Sequence, residues 1–187
     1  MMSQQAKRMQ KTARFLLTLA VALVLMLCFR ALAFTVCTVE GQGLAPQLHR
    51  GDRVLVNRWS YGLRVGGDGG LFSYGRIGRQ TPEKGDIVAF ENPKNTDEVL
   101  LCRCKGLPGD TIVHDGQLMM VPGLKTCADA DHYWLEAIGT APTLDSRTLG
   151  FIAEEFIIGR ATMVLYNHDP LQSLLNGWNG KRTLLPL

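Results

Sequence analysis

The first 36 residues contain no acidic side chain, yet they carry Lys7, Arg8, Lys11, Arg14 and Arg30. Taking those five bases from the chain's twenty leaves fifteen against seventeen acids, so Cys37 to Leu187 is net −2. A slightly acidic body lacks the global basic footprint of a nucleic-acid binder, and no nucleic-acid partner is expected. There is no internal repeat, no low-complexity tract and no collagen-like period. With 46% hydrophobic residues in 187, disorder is excluded as well. No CxxC or HxxxH spacing occurs. A metal site would have to be assembled from Cys102, Cys104 and Cys127 plus a histidine, a weak signal, and no cofactor is expected.

What the N-terminus does hold is apolar. Phe15 to Phe29 reads FLLTLAVALVLMLCF, with Thr18 its one polar residue, and ALAFTV follows Arg30. Crossing ~30 Å of hydrocarbon takes about 20 helical residues. Phe15–Phe34 fits if Arg30 snorkels at the far interface. Four cations precede the run, which places the N-terminus in the cytoplasm and the remainder across the membrane. The expected organisation is a basic cytoplasmic segment at 1–14, a transmembrane helix at 15–36 and an exported body at 37–187. A cleaved signal peptide shares the basic start and apolar centre, but this run is long for one, and Ala31-Leu32-Ala33 only loosely matches a cleavage site. The tail LNGWNGKRTLLPL is too short and polar for a second span, although Trp178, Leu184 and Leu185 could touch a membrane surface.

The body reads as short strands cut by glycine and proline. Asp52–Asn57, Asp86–Phe90, Val99–Cys104, Thr111–His114, Gln117–Val121, Gly150–Ile152 and Arg160–Tyr166 are predicted strands. Asp115-Gly116 is a hairpin turn. This pattern predicts a mostly-β domain. The glycine-rich stretch Val65–Arg79 reads as a loop. Cys102 and Cys104 stand two apart on one strand, so they face the same way and would pair elsewhere if at all. In an oxidising compartment a disulfide among Cys37, Cys102, Cys104 and Cys127 is possible.

Several segments occur in a telling order: VEGQGLAPQLHRGDRVLVNRWSYG, then PEKGDIVAFENP, then LLCRCKGLPGDTI, then LDSRTLGFIAEEFIIGRA. Together they resemble the bacterial type I signal peptidases (leader peptidases) over nearly the whole chain after the apolar run. The resemblance implies a mostly-β fold beside a membrane, with an extended groove for a substrate strand. It also implies a serine nucleophile in an SxSMxPTL motif and an uncharged lysine base in a YIKRxxGxPGD motif. A backbone N–H and a second serine would form the oxyanion hole.

This chain departs from the pattern at the reacting positions. Aligning Pro46 and Leu48 puts Gly43 at the nucleophile and Gly41 at the oxyanion-hole serine, and Glu40–Leu48 contains no Ser, Thr or Cys. Aligning Arg103 and the GLPGD turn puts Cys102 at the base. Lys105 is three residues on and on a regular strand faces the other side, so unless the strand bulges it cannot replace the amine. Ser60 reads as structural. Thr143 occupies the position whose hydroxyl would orient the lysine, and Asp145 and Arg147 are expected to form a structural ion pair at the rim. The GDNR part of the last motif is replaced by residues around Ala137–Thr140.

The expectation is a catalytically inactive, membrane-anchored homologue in the bacterial cytoplasmic membrane. It would bind an exported polypeptide or signal peptide in a groove including Gly43, Leu44, Pro46 and Cys102. A role in surface assembly, or as partner of an active signal peptidase, would follow. The alternative is an active peptidase with relocated residues. A third possibility is a purely structural membrane module. The self-cleaving repressor proteases share the fold and the Ser/Lys pair, but have no membrane anchor.

Overall fold

The computed structural model describes residues 2–39, 44–66, 73–126, 128–137, 139, 143–168 and 177–187, with the side chains of 2–10, 28, 29, 31 and 32 outside that description. Two compact units emerge, Met1–Phe34 and Thr35–Leu187. The first is helix α1, Met2–Ala33. Its described apolar side chains from Phe15 to Leu27 stand 50–68% exposed where large. Among the described residues no helix is long and apolar enough to cross a membrane, and the described apolar run, 15–27, covers thirteen positions.

The second unit is mostly β, as expected. Its strands are β1 (Phe34–Thr38), β2 (Asp52–Asn57), β3 (Leu63–Val65), β4 (Gly75–Ile77), β5 (Ile87–Asn92), β6 (Asn95–Gly106), β7 (Thr111–His114), β8 (Gln117–Met120), β9 (His132–Glu136), β10 (Ile152–Ala153), β11 (Ile157–Asn167) and β12 (Leu185–Pro186). Eight of them form one sheet in the order β1-β2-β11-β5-β6-β9-β10, with β12 on β11. The pairs β3–β4 and β7–β8 are separate two-stranded ribbons.

Both faces of the sheet are covered. Ile87 and Ala89 of β5 pack into one cluster with Val54, Val56, Ala161 and Val164. Val88 and Phe90 pack into another with Tyr133, Leu135, Ile152 and Ile157. Burial on both faces is why DIVAF reads as an unbroken apolar run rather than an alternating one.

Two sequence expectations shift. The helix gives way to strand at Phe34, so the last three residues of the expected 15–36 helix belong to β1. Apolarity ran through both elements, and the β-branched Thr35, Val36 and Thr38 favour the strand once β2 is beside them. The expected loop Val65–Arg79 contains β4, paired with β3 through Leu63↔Ile77 and Val65↔Gly75. Arg76 ties that ribbon to the body, donating to Gly62 O at 3.1 Å and Glu154 O at 3.0 Å. Positions 67–72 lie outside the described residues.

The motif residues hold the frame together. Tyr61, beside Ser60, donates its hydroxyl to Asp86 at 2.9 Å, and Arg160 pairs with the same carboxylate at 3.2 Å. Asp110 of the GLPGD turn accepts from Leu107 N at 2.6 Å and pairs with Lys84 at 2.9 Å. Gly106 opens that turn with no space for a side chain: a Cβ there would meet Ile112 and Trp134 at 3.0 Å. Ser60 donates to Asn57 O at 3.0 Å, a local turn contact.

Candidate functional site

A groove of about 690 Å³ runs along the second unit, lined by residues 35–39, Leu44, Asn95, 97–101, Thr143 and Leu144. Its two long walls are strand edges. β1 pairs with β2 and ends the sheet order. β6 pairs with β5 at Asn95 and from Val99 to Arg103, but with β9 only from Arg103 to Gly106. Among the described residues, 95–102 of β6 therefore have no strand on their second edge. An unpaired edge presents a row of backbone donors and acceptors to whatever lies beside it. Two such edges facing one groove make a slot for an extended chain.

Asp145 sets the third wall. Its buried carboxylate caps helix α2 (Ser146–Leu149), accepting from Arg147 N at 2.9 Å and from Ala137 N at 3.1 Å. The Arg147 guanidinium completes the ion pair, with Nε at 2.8 Å and Nη2 at 2.6 Å from Asp145 Oδ2. Ser146 Oγ accepts from Leu135 N at 2.9 Å. Helix α2 is thereby fixed to β9, and Thr143 and Leu144 come against the groove.

The expected site residues separate. Gly41, Gly43 and Glu40 lie outside the described residues. Leu44 lines the groove and is 3% exposed. Pro46 is exposed and is not part of the lining. Cys102 is fully buried, inside the cluster of Phe90, Tyr133 and Leu135, on the sheet face opposite Leu44. Its thiol donates to Leu144 O at 3.8 Å, so it sits beneath the groove wall rather than in the opening. Thr143 lines the groove; Asp145 and Arg147 stand behind it. Sequence reasoning took Phe34–Val36 of β1 as helix and began the β6 strand at Val99, leaving Asn95–Glu98 unassigned.

Burial, with the Asp145 charge adding to it, pushes the Cys102 thiol up to about 12. At pH 7 the thiol form dominates. A thiol held in that form is a weak base and a weak nucleophile. The charged groups that act on it are Asp145, Arg147 and Glu136, none of them an amine. Cys104 lies on the same face and is likewise raised to about 12 by burial. Lys105 is exposed, at an irregularity in the β6–β9 pairing between Cys104 and Gly106, and is not among the charged groups that act on Cys102. We expect native protein at pH 7.5 to leave Cys102 and Cys104 unmodified by iodoacetamide, and denaturant to release both; mass mapping of the labelled thiols reads the result. Labelling of Cys102 in native protein at the rate of a free thiol would show that it is open and ionised.

Cys37, Cys102 and Cys104 are free thiols. Cys127 lies outside the described residues. Among the described residues no group of three or more His, Cys, Asp or Glu side chains is arranged to hold a metal ion.

With this geometry in hand, the relatives become informative. The family described as signal peptidase, peptidase S26, matches residues 12–133, about two thirds of the chain. The chain belongs to that family. Mitochondrial inner membrane protease subunit 2 of Mus musculus is 27% identical over 147 residues, 74% of this chain and 71% of its own length. The protein of the same name from Saccharomyces cerevisiae is 26% identical over 131 residues, covering 70% of this chain and 67% of its own length. Signal peptidase IB of Staphylococcus aureus is 32% identical over 111 residues, 59% of this chain and 49% of its own length.

Proposed function

We propose that this signal-peptidase family member is catalytically silent, and that it holds an extended segment of an exported or precursor polypeptide along the groove between β1 and β6. The observation that carries the reading is the environment of Cys102. The position of the expected lysine holds a thiol that is buried in apolar surroundings and un-ionised at neutral pH. The nucleophile position, Gly43, has no side chain. The binding mode is strand addition: backbone hydrogen bonds to the open edges supply affinity, and alternate side chains enter the groove.

The same proposal places the chain in the bacterial inner membrane by one N-terminal span. Support comes from the apolar run 15–29, its continuation 31–36 and the four cations before it. The body then faces the exported polypeptides it would chaperone or hand to an assembly machinery or an active signal peptidase. A helix that is apolar on every face has no polar side to give to water, which is the arrangement of a span. The names of the relatives favour a second reading, an active peptidase with relocated residues. Against it, Lys105 is exposed and is not among the charged groups that act on Cys102.

The test is binding without cleavage. A fluorophore-labelled signal-peptide segment should bind the purified full chain in detergent and remain intact. Val99, 40% exposed in the groove wall, is the position to block. Val99→Trp should weaken binding at least about tenfold, the cost of filling a slot with a large rigid side chain. Unchanged affinity in that variant would remove the groove from the reading.

A further inference from the structure

We infer that the groove selects its occupant by charge, taking an extended segment that carries a lysine or arginine about four residues from a small apolar anchor. This rests on the strand-addition reading above and adds the chemistry of what is selected. In β6, Asp97 and Glu98 precede Val99, Leu100 and Leu101 along the groove wall, at an irregularity where pairing with β5 skips from Asn95 to Val99. Leu101 packs against the same cluster as Leu44, so the inner end of the groove is apolar. Asp97 is exposed at the other end, four residues away, with Glu98 beside it. Both carboxylates line the groove, and no lysine, arginine or histidine does among the described residues.

Neither acid is in an ion pair among the described residues. Glu98 accepts from Asn92 Nδ2 at 2.7 Å, which holds its carboxylate in place without neutralising it. On the β1 side Arg53 donates to the Thr38 hydroxyl, and Arg53 is not part of the lining. Two unpaired carboxylates at one end of the groove set a polarity along it. A cation seated there gains, and an anion is repelled by both. Apolar contact at the Leu44, Leu101 and Leu144 end supplies the anchor, and the charge at the Asp97 end sets register and choice of partner.

The probe is a blocked ten-residue Ala/Val/Thr peptide with one leucine and, four residues from it, lysine, glutamine or glutamate, made in both orders. Binding to the full chain in detergent is read by fluorescence anisotropy. At 50 mM NaCl the lysine peptide should bind about tenfold tighter than the glutamate peptide, with glutamine between them. The ratio should shrink to about twofold at 0.5 M NaCl. Asp97 is an exposed residue, so Asp97→Lys leaves the fold intact and should invert the order of preference. Equal binding of all three peptides overturns the charge selection and leaves the groove reading standing. Failure of all three to bind overturns both. A preference for lysine that Asp97→Lys does not alter also overturns the assignment, because the selecting charge then lies elsewhere.

Discussion

Incubated with a synthetic signal peptide, the full chain in detergent should leave it uncut, at a rate at least about 10⁴-fold below a family member that retains both hydroxyl and amine. Removing one half of a nucleophile–base pair costs several powers of ten, and effects within such a unit do not add. On the proposed alignment, Gly43 offers a hydrogen where an oxygen is needed. Cys102 offers an un-ionised thiol whose nearest polar contact is a carbonyl. Cys102→Ala should therefore change nothing in that assay. Restoring one partner alone, by Gly43→Ser or by Cys102→Lys, should not restore cleavage either. The double variant should cleave at least about 100-fold faster than either single one. Burial at position 102 would lower a lysine's pKa toward neutrality, the condition for an amine base, while Asp145 would oppose that shift. The reading as a silent family member is overturned if the native chain cuts the peptide and Cys102→Ala abolishes the cut.

The second large effect is on stability. Asp52 is completely buried and accepts four hydrogen bonds: from His49 N at 2.8 Å, Asn167 Nδ2 at 2.7 Å, Arg182 Nη2 at 2.7 Å and Arg182 Nε at 3.1 Å. Arg182 also donates to Gln47 O at 2.7 Å, so one carboxylate joins the turn before β2, the end of β11 and the C-terminal segment. Asp52→Ala leaves a largely buried guanidinium without its counter-charge. The expected loss is about 3–5 kcal/mol, or a fall in Tm of roughly 10 °C at about 2–4 °C per kcal/mol. A thermal melt of the full chain in detergent measures it. A change in Tm of under about 2 °C would show that the network is not structural.

The same group gives a pH dependence. Burial opposes the charge on Asp52, but the hydrogen bonds from Arg182, His49 and Asn167 outweigh it and hold its carboxyl below the usual carboxylate range. Because the folded value is the lower one, the stabilisation is fully present above the unfolded value near pH 4. It is lost as pH falls through the folded value. Melts of the native chain should therefore lose stability below about pH 4, and the Asp52→Ala variant should lose less over the same range.

The mostly-β class, and the strands at Asp52–Asn57 and Thr111–His114, were legible because turn residues bracket short β-rich runs and tertiary packing does not alter that local signal. The Asp145–Arg147 pair was legible too, since two residues in a capping position lie close in any fold. β1 was not, because its apolar residues continue a helical run without a break and only the edge of β2 makes them a strand. Asp97 and Glu98 carried no signal at all: an acid outside the predicted strands is ordinary until a groove forms around it.

That positions 43 and 102 hold glycine and cysteine is a fact of the sequence alone, and no packing can supply a hydroxyl or an amine there; that these are the reacting positions belongs to the proposal. What the tertiary structure decided is where the remaining groups face. It put Cys102 on one side of the sheet and Leu44 on the other, sealed the thiol beneath Leu144, and left two strand edges open to a slot that is acidic at one end. Those choices depend on pairing between strands far apart in the chain, and each strand's two faces and two edges are assigned only when its neighbours arrive.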